Sequence, residues 1–438
     1  MEKTGLIKLG VISLGCPKNT ADTESLLASL AEPVELMNIE DSEIVLLNTC
    51  AFLKTARDEV FENLNKLKDK KVILLGCLAG QLKEEIFKEY PQLYAVVSGV
   101  YYPSIFEIVE SVHQGAKIFA IAKEPSEYTL MIGKHLITPP AYAYIKIAEG
   151  CENNCSFCLI PKLKGKYRSR PMEDILDEAK DLVKLGVKEL VLVAQDCGLY
   201  GFDLYGKKKL AELLKKISDI KGDFWVRVLY VYSERIDDEL IRVFADSKKI
   251  CKYFDIPLQH GDPGILKEMR RPFDIERTLE KISNIRRQIP DVTFRTSLIV
   301  GFPGETEEAF KNLKDFVRKI DFDHVGVFEY SREKGTSAYH LDNQVSDGIK
   351  KKRREEIMLM QQEIALKKNV SAIGKTHKVL LDRFDPAKKL YIGRTQRNAP
   401  DVDGSFIIKS EKPLKLYDFI SAKAEKAEPY DVYGKALS

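Results

Sequence analysis

The sequence predicts an α/β protein with an N-terminal parallel sheet domain, a central partial (β/α)6 barrel and a C-terminal all-β small barrel. Two observations lead to this prediction. Through most of the chain, short apolar runs alternate with helix-like stretches, which is typical of parallel strands joined by crossover helices. Residues 371–438 instead hold short strand-like runs separated by turn residues, which is typical of a small barrel.

The N-terminal domain is predicted over residues 1–122. Apolar runs predict strands at residues 6–14, 43–49 and 71–76. Helix-like stretches follow these runs at residues 23–30, 55–67 and 80–88. Residues 123–140 contain three prolines and no clear period, and they therefore predict a linker.

The central domain is predicted over residues 141–369, where the alternation restarts. Six strands are predicted, at residues 142–148, 188–194, 224–231, 253–257, 293–300 and 324–330. The clearest helix covers residues 172–185 and carries an apolar face. Six strand–helix units predict a partial barrel. A doubly wound open sheet stays an alternative, because periodicity does not distinguish the two architectures.

Composition and charge exclude several classes of protein. The chain has 69 Lys plus Arg against 66 Asp plus Glu, a formal net charge of +3, which argues against a protein that coats a polyanion. No apolar run is long enough to span a membrane, and the N-terminus lacks the apolar core of a signal peptide. A cytoplasmic location is therefore expected. In that reducing compartment disulfides are rare, so the eight cysteines need another explanation.

Three cysteines form a compact motif directly after the first predicted barrel strand. Cys151, Cys155 and Cys158 have the spacing C-x3-C-x2-C, which lets three thiolates reach one soft metal centre. A structural zinc site needs four ligands, and no fourth Cys or His lies nearby in the sequence. An iron–sulfur cluster held by three cysteines leaves one iron free to bind a substrate. The motif therefore predicts a catalytic cluster.

Three further cysteines are far apart in the sequence but occupy equivalent places. Cys16, Cys50 and Cys77 each come directly after a predicted strand of the N-terminal domain. The carboxyl ends of parallel strands lie along one edge of a sheet, so we expect these cysteines to converge and to hold a second cluster. The alternative is that they are small buried hydrophobic residues. Cys197 and Cys251 have no partner at ligand spacing and are expected to be core thiols.

These motifs resemble those of the radical S-adenosylmethionine (SAM) methylthiotransferase family. CENNCSFC resembles the radical SAM signature, and SLGCPKN, NTC and GCLAG resemble the N-terminal domain of the family. The runs YVYSERI, DIPLQHGDPGILKEMRR, TSLIVGFPGETEE and GVFEYSREKGTSA are similar to the branch that modifies an aspartate of ribosomal protein S-12. The C-terminal region resembles a TRAM domain. The resemblance covers nearly the whole chain.

The resemblance implies a set of cofactors, a reaction and a partner. Cys151, Cys155 and Cys158 would hold one 4Fe–4S cluster that binds SAM, and Cys16, Cys50 and Cys77 would hold a second. The reaction would add a methylthio group to the β-carbon of an aspartate in ribosomal protein S-12. The alternatives are a tRNA adenosine methylthiotransferase and a non-catalytic, metal-stabilised RNA- or ribosome-binding module. A monomer is expected, with nucleic-acid contact through the TRAM-like domain.

Residues near the predicted mouth of the barrel are candidates for contacting SAM. Each has a structural alternative, such as a turn for the GFPGET segment, a core position for Phe157 and a structural histidine for His260, which follows Gln259. Arg295 is the residue that could pair with the carboxylate of SAM. The full set of candidates is Phe157, Gln195, Asp196, Gln259, Arg295, Thr296 and Gly301.

Overall fold

The computed structural model describes residues 6–51, 54–122, 133–271 and 274–437. Two compact units make up the chain. The first comprises Met1–Ile137 with Glu149–Asn153 and Cys158–Arg168, and the second comprises Thr138–Ala148, Asn154–Phe157 and Ser169–Ser438. Part of the predicted linker, residues 123–132, lies outside the described residues. The predicted domain boundaries stay predictions.

Within the described residues, the N-terminal sheet has six parallel strands in the order β2-β1-β3-β4-β5-β6. The strands are β1 Ile7–Ser13, β2 Val34–Leu36, β3 Ile44–Thr49, β4 Lys71–Gly76, β5 Leu93–Val97 and β6 Ile118–Ala120. The sequence predicted β1, β3 and β4 and missed the other three. β2 and β6 are edge strands of three residues, too short to show a period.

Helices cover both faces of this sheet. They are α1 Pro17–Leu27, α2 Lys54–Lys66, α3 Ile86–Glu89 and α4 Ile105–His113, with α5 Ile160–Lys164 from the later segment of the same unit. The start of α1 was predicted six residues too late, because Pro17 fits the first turn of a helix, where no N–H donor is needed. The helix predicted at residues 80–88 is instead a 3-10 turn at Ala79–Gln81 followed by α3.

The second unit begins with the partial barrel, for which the described residues give six parallel strands in chain order. The elements of this region are β7 Tyr142–Lys146, β8 Ala148–Glu149, β9 Arg168–Ser169, β10 Glu189–Val193, β11 Trp225–Val228, β12 Tyr253–Asp255, β13 Thr293–Val300 and β14 His324–Glu329. β7, β10 and β11 form one sheet and β12, β13 and β14 another. Ile250, three residues before β12, forms a parallel bridge with Val226 on β11. A doubly wound sheet requires a point at which the strand order reverses. The strands here follow the chain order without such a reversal, so the barrel prediction is confirmed.

Helices follow the barrel strands, and most of them bury an apolar face. They are α6 Met172–Lys184, α7 Phe202–Tyr205, α8 Leu210–Ser218, α9 Asp238–Asp246, α10 Pro263–Glu268, α11 Ile275–Gln288, α12 Glu307–Ile320 and α13 Asp347–Val370. The side chains of Asp237, Asp262, Asp274 and Thr306 each accept a backbone N–H in the first turn of the helix that follows. These caps satisfy donors that the helix itself leaves open, and they mark where each strand-to-helix loop ends.

The C-terminal region is a closed barrel with five strands among the described residues, in the order β15-β16-β17-β19-β18. The strands are β15 Thr376–Asp385, β16 Leu390–Arg394, β17 Phe406–Lys409, β18 Phe419–Ala427 and β19 Val432–Ala436. The sequence predicted the first four and missed β19. The core consists of alternate residues, such as Val379 and Leu381 on β15 and Phe406 and Ile408 on β17, as a closed barrel requires.

The loop between β16 and β17 contacts the amino-terminal ends of the partial-barrel strands. Asp401 accepts hydrogen bonds from the hydroxyls of Tyr142 and Tyr144, at 2.9 and 2.8 Å. Asp403 accepts one from the hydroxyl of Tyr253 at 2.6 Å and lies 3.4 Å from the guanidinium of Arg295. The two barrels of this unit are therefore held together by buried polar contacts.

A second group of buried charges supports the same contact. Glu189 on β10 pairs with Arg227 at 2.6 Å and also with Arg394 at the end of β16. Arg394 pairs in turn with Asp382 at 2.8 Å. Burying a charge without a partner costs much free energy. The compensation of these buried charges therefore depends on the presence of the C-terminal barrel.

Replacing Asp403 with alanine should destabilise the second unit. The change leaves Arg295 and the Tyr253 hydroxyl buried with one partner fewer, at an expected cost of about 3 kcal/mol in the free energy of unfolding. Urea denaturation of the two proteins measures the difference. The control is Glu411→Ala, which breaks an exposed pair with Lys435 and should cost less than about 1 kcal/mol. Equal effects of the two substitutions would contradict the role given to the loop.

Candidate iron–sulfur and SAM site

The first cysteine set lies at one edge of the N-terminal sheet. Cys16 follows β1, Cys50 follows β3 and Cys77 follows β4, and these three strands are neighbours in the sheet. Gly15 has a φ of +97°, and a Cβ placed there would come within 2.6 Å of the Cβ of Cys50. Glycine is therefore needed where the loop carrying Cys16 passes Cys50.

Asn19 fixes the loops that carry two of these cysteines. Its side-chain amide donates to the carbonyl oxygens of Leu14 and Thr49, both at 3.0 Å. These carbonyls precede Cys16 and Cys50 by two residues and one residue, so the amide sets the spacing of the two loops. The sequence analysis missed Asn19, because its partners are identified only by the packing of α1 against the strand ends.

The thiol of Cys77 lies among charged groups. Burial raises its pKa to about 12, and the ammonium of Lys164 acts in the opposite direction. Cys50 and Cys16 also act on it, which shows that the three cysteines lie within electrostatic range of one another. Iron would replace the proton, since a thiol that coordinates a metal is deprotonated.

Two cysteines of the second set, Cys151 and Cys158, belong to the first unit. The sulfur of Cys151 accepts hydrogen bonds from the backbone and side-chain nitrogens of Asn153, at 3.4 and 3.5 Å. The sulfur of Cys158 accepts one from the backbone nitrogen of Ile160 at 3.4 Å. Donors of this kind stabilise the negative charge of thiolate ligands.

Cys155 belongs to the second unit and faces a buried arginine. A guanidinium nitrogen of Arg271 lies 3.8 Å from the sulfur of Cys155, and the guanidinium stacks over the ring of Tyr232 at 3.9 Å. A second nitrogen donates to the carbonyl of Pro257 at 2.5 Å. No pattern in the sequence singled out Arg271, because its nearness to Cys155 follows from the fold.

The cysteines fit iron–sulfur clusters better than a single metal ion. All eight cysteines lie within the described residues as thiols and not as disulfides. The part of the chain that the structure describes has no group of three or more Cys, His, Asp or Glu side chains close enough to hold one ion. A 4Fe–4S cluster does not need such a group, because each of its cysteines binds a different iron.

Gln195 and Asp196 follow β10, at the carboxyl end of the strand, as predicted. Asp196 is fully buried; its carboxylate accepts the N–H of Gly198 at 3.1 Å and lies 3.4 Å from the guanidinium of Arg235. Asp196 therefore shapes the turn after β10. Contact of either residue with SAM stays a prediction.

Arg295 and Thr296 already have partners in the barrel. The guanidinium of Arg295 pairs with Asp255 at 3.1 Å as well as with Asp403. This weighs against the predicted pairing of Arg295 with the SAM carboxylate. The hydroxyl of Thr296 donates to the carbonyl of Ile256 at 2.8 Å, so it links β13 to the segment after β12.

Gln259 and Phe157 lie in the same part of the second unit. Gln259 has a φ of +72°, a backbone conformation that is uncommon for a non-glycine residue. It forms a β-bridge with Leu298 on β13. Phe157 packs against a buried cluster that includes Ile299 and Phe302. The structure thus gives Phe157 the core contacts of the structural alternative, and its contact with adenine stays a prediction.

The GFPGET segment is a tight turn that a buried carboxylate organises. Glu305 accepts hydrogen bonds from the backbone nitrogens of Gly301 and Phe302, and Thr306 caps α12. The imidazole of His260 is fully buried and lies 3.9 Å from the carboxylate of Glu305. Burial lowers the pKa of His260 to about 3, so this histidine is neutral, as the structural alternative expects. Contact of Gly301 with SAM stays a prediction.

A groove of about 890 Å³ lies away from all of these residues. Its walls belong to the outer helices α9, α11 and α12, and it includes Ile241, Lys281 and Lys319. None of the predicted site residues contributes to it.

Comparison with known proteins identifies the class. The radical SAM superfamily model matches residues 145–317. A model described as uncharacterized protein family UPF0004 matches residues 8–98, and a TRAM domain model matches residues 373–437. Among solved structures, the radical SAM methyltransferase TsrM from Kitasatospora setae has a TM-score of 0.55 at 15% identity, over 74% of this chain and 73% of that one. The fold is therefore that of a radical SAM enzyme.

Curated relatives identify the family within that class. The ribosomal protein uS12 methylthiotransferase RimO of Acetivibrio thermocellus is 43% identical over 98% of both chains. The RimO of Thermoanaerobacter sp. is 44% identical over 98% of this chain and 99% of the relative, and that of Clostridioides difficile is 41% identical over 99% of both. The chain belongs to the RimO family of radical SAM methylthiotransferases. It is a transferase of alkylthio groups, so the non-catalytic alternative is not retained.

The stability of the protein should depend on the ionisation of Glu305. Burial raises the pKa of Glu305 from 4.5 to about 7, against the opposing effect of Arg353. The folded state binds the proton of the Glu305 carboxyl more tightly than the unfolded state does. Protonation of Glu305 therefore stabilises the fold fully below pH 4.5, and this contribution is lost as the pH rises through 7. Between pH 4.5 and 8, the free energy of unfolding of the wild type should decrease by on the order of 3 kcal/mol because of Glu305. The Glu305→Gln variant should lack this decrease.

Urea denaturation at several pH values measures this dependence. The control is Glu307→Gln, because Glu307 is exposed and its pKa is lowered by Arg353. If wild type and Glu305→Gln change in parallel over this pH range, Glu305 is ionised in the folded protein throughout and the interpretation is wrong.

Proposed function

We propose that this enzyme adds a methylthio group to the β-carbon of an aspartate in ribosomal protein uS12, the S-12 protein of the small subunit. It would use two 4Fe–4S clusters and SAM. The observation that carries the proposal is the presence of two separate sets of three cysteine thiols in a chain whose curated relatives are named for this modification of uS12. A reaction on a ribosomal protein would take place in the cytoplasm.

The residues that would hold the clusters follow from the two sets. Cys151, Cys155 and Cys158 would hold the cluster that binds SAM, and Cys16, Cys50 and Cys77 would hold the other. With SAM, the first cluster supplies one-electron chemistry, which an unactivated C–H bond requires because no side-chain base is strong enough to remove its proton. The N–H donors at Asn153, Ile160 and Arg271 would stabilise the thiolates of that cluster.

The surface of the C-terminal barrel supports a protein substrate more than tRNA. A surface that binds RNA through its phosphates needs a continuous excess of positive charge. Three exposed lysines of this barrel lie beside carboxylates. The pairs are Lys415–Asp418, Lys426–Glu428 and Lys435–Glu411. This mixed surface suits a basic ribosomal protein. Contact with nucleic acid near that protein stays compatible with a TRAM domain.

Each cysteine set should account for half of the bound iron. After anaerobic reconstitution the wild-type protein should hold about eight irons per chain. Replacing Cys151, Cys155 and Cys158 together with alanine should leave about four irons, and so should replacing Cys16, Cys50 and Cys77. Iron and sulfide analysis of the purified proteins measures this.

The matched control replaces Cys197 and Cys251, which are fully buried core thiols. The iron content of this double alanine variant should equal that of the wild type. A wild-type value of about four irons, or bound zinc in place of iron, would contradict the two-cluster proposal.

The substrate is tested by turnover with both polymers in one reaction. The reconstituted enzyme receives SAM, a reductant and a sulfide source under anaerobic conditions, together with ribosomal protein uS12 and bulk tRNA. Mass spectrometry should find the methylthio group on an aspartate of uS12. A methylthio group on a tRNA adenosine would instead assign the tRNA-modifying function and refute the substrate proposed here.

A further inference from the structure

Lys164 lies where the two ends of the radical SAM cysteine loop meet. It is the last residue of α5, which begins two residues after Cys158. The carbonyl of the next residue, Gly165, accepts the backbone N–H of Cys151 at 3.1 Å. Gly150 has a φ of +78°, and a Cβ there would come within 2.0 Å of the carbonyl oxygen of Lys166. The loop is therefore closed tightly beside Lys164.

The ammonium of Lys164 lies between two buried carboxylates. Its distance to the nearer oxygen is 3.5 Å for Asp22 and 3.8 Å for Glu149. The three side chains are only 11%, 4% and 2% exposed. Asp22 belongs to α1, the helix that begins directly after Cys16. Lys164 thus connects the loop of one cysteine set to the helix that starts at the other.

The same ammonium acts on Cys77 of the N-terminal domain. Among the charged groups that influence the thiol of Cys77, Lys164 has the largest effect. Burial disfavours the charged form of Lys164, but Glu149, Asp22 and Cys77 outweigh burial and raise its pKa well above the usual value. These partners therefore favour the positively charged form of Lys164 in the folded protein.

We propose that Lys164 is a positioning residue for the cluster of Cys16, Cys50 and Cys77, to which it supplies a compensating positive charge while it ties the loop of Cys151 and Cys158 to that site. The inference rests on the proposed two-cluster function. Reduction adds a negative charge to a site that already contains thiolates, Asp22 and Glu149. A buried ammonium favours that added charge, so Lys164 should raise the reduction potential of this cluster.

The test uses the full-length chain with Cys151, Cys155 and Cys158 replaced by alanine, so that only the N-terminal cluster gives a signal. The hydrogen bond from the backbone N–H of residue 151 to the carbonyl of Gly165 does not need the cysteine side chain, so the loop can still close. A redox titration followed by electron paramagnetic resonance gives the potential. In this parent, Lys164→Gln should shift the potential to a more negative value. Lys164→Arg keeps the positive charge, so its potential should be close to that of the parent.

Asp22→Asn provides a variant with the opposite sign. It removes a negative charge and leaves the ammonium of Lys164 less compensated, so the potential should become more positive. A purely structural role of the Lys164–Asp22 pair would not move the two variants in opposite directions. If Lys164→Gln does not retain its cluster, the shift in Asp22→Asn decides alone.

Lys134→Gln is the matched control. Lys134 is buried in the same unit and pairs with Glu24 on α1 at 3.3 Å, but it is not among the largest influences on the thiol of Cys77. Its loss should leave the potential unchanged. The role of Lys164 would be refuted by equal shifts in Lys164→Gln and Lys134→Gln, or by the absence of a shift in both Lys164→Gln and Asp22→Asn. Either outcome would leave the two-cluster function standing. Absence of iron in the parent would overturn the two-cluster function, and the inference with it.

Discussion

The direction of the strands is the constraint on which the proposed site depends. Hydrogen-bonded neighbours in the N-terminal sheet and in the partial barrel run parallel, so their carboxyl ends lie along one edge of each sheet. This brings Cys16, Cys50 and Cys77 to adjacent strand ends although they are far apart in the sequence. It also places the C-x3-C-x2-C loop directly after the first barrel strand.

Buried charges determine which segments must be present together. Glu189 and Arg295 on the barrel strands depend on Arg394 and Asp403 of the C-terminal barrel for part of their compensation. In the first unit, Lys164 compensates carboxylates from two distant segments. Such groups cost much free energy when a partner is removed, so each buried pair makes the segments that contribute to it mutually dependent.

Local pattern was enough for most of the central strands and insufficient elsewhere. β13 was predicted with the observed bounds and β10 within one residue at each end. For β10 the reason is that a strand buried on both faces is a nearly continuous apolar run. β2 and β6 were missed because three residues at a sheet edge show no period. The pairing of Arg295 with Asp403 was not predicted, because Asp403 comes from a later domain that the barrel pattern does not reveal.

The sequence by itself determined the fold class, the two cysteine sets and the family, because these depend on residue types at fixed spacing and on local burial patterns. Tertiary structure decided which charges meet. Contacts between residues far apart in the sequence join Arg271 to Cys155, Asn19 to Thr49 before Cys50, and Lys164 to Asp22. The physical reason is that a long charged or amide side chain carries no periodic signal, and its partner is set only when packed segments exclude water around it.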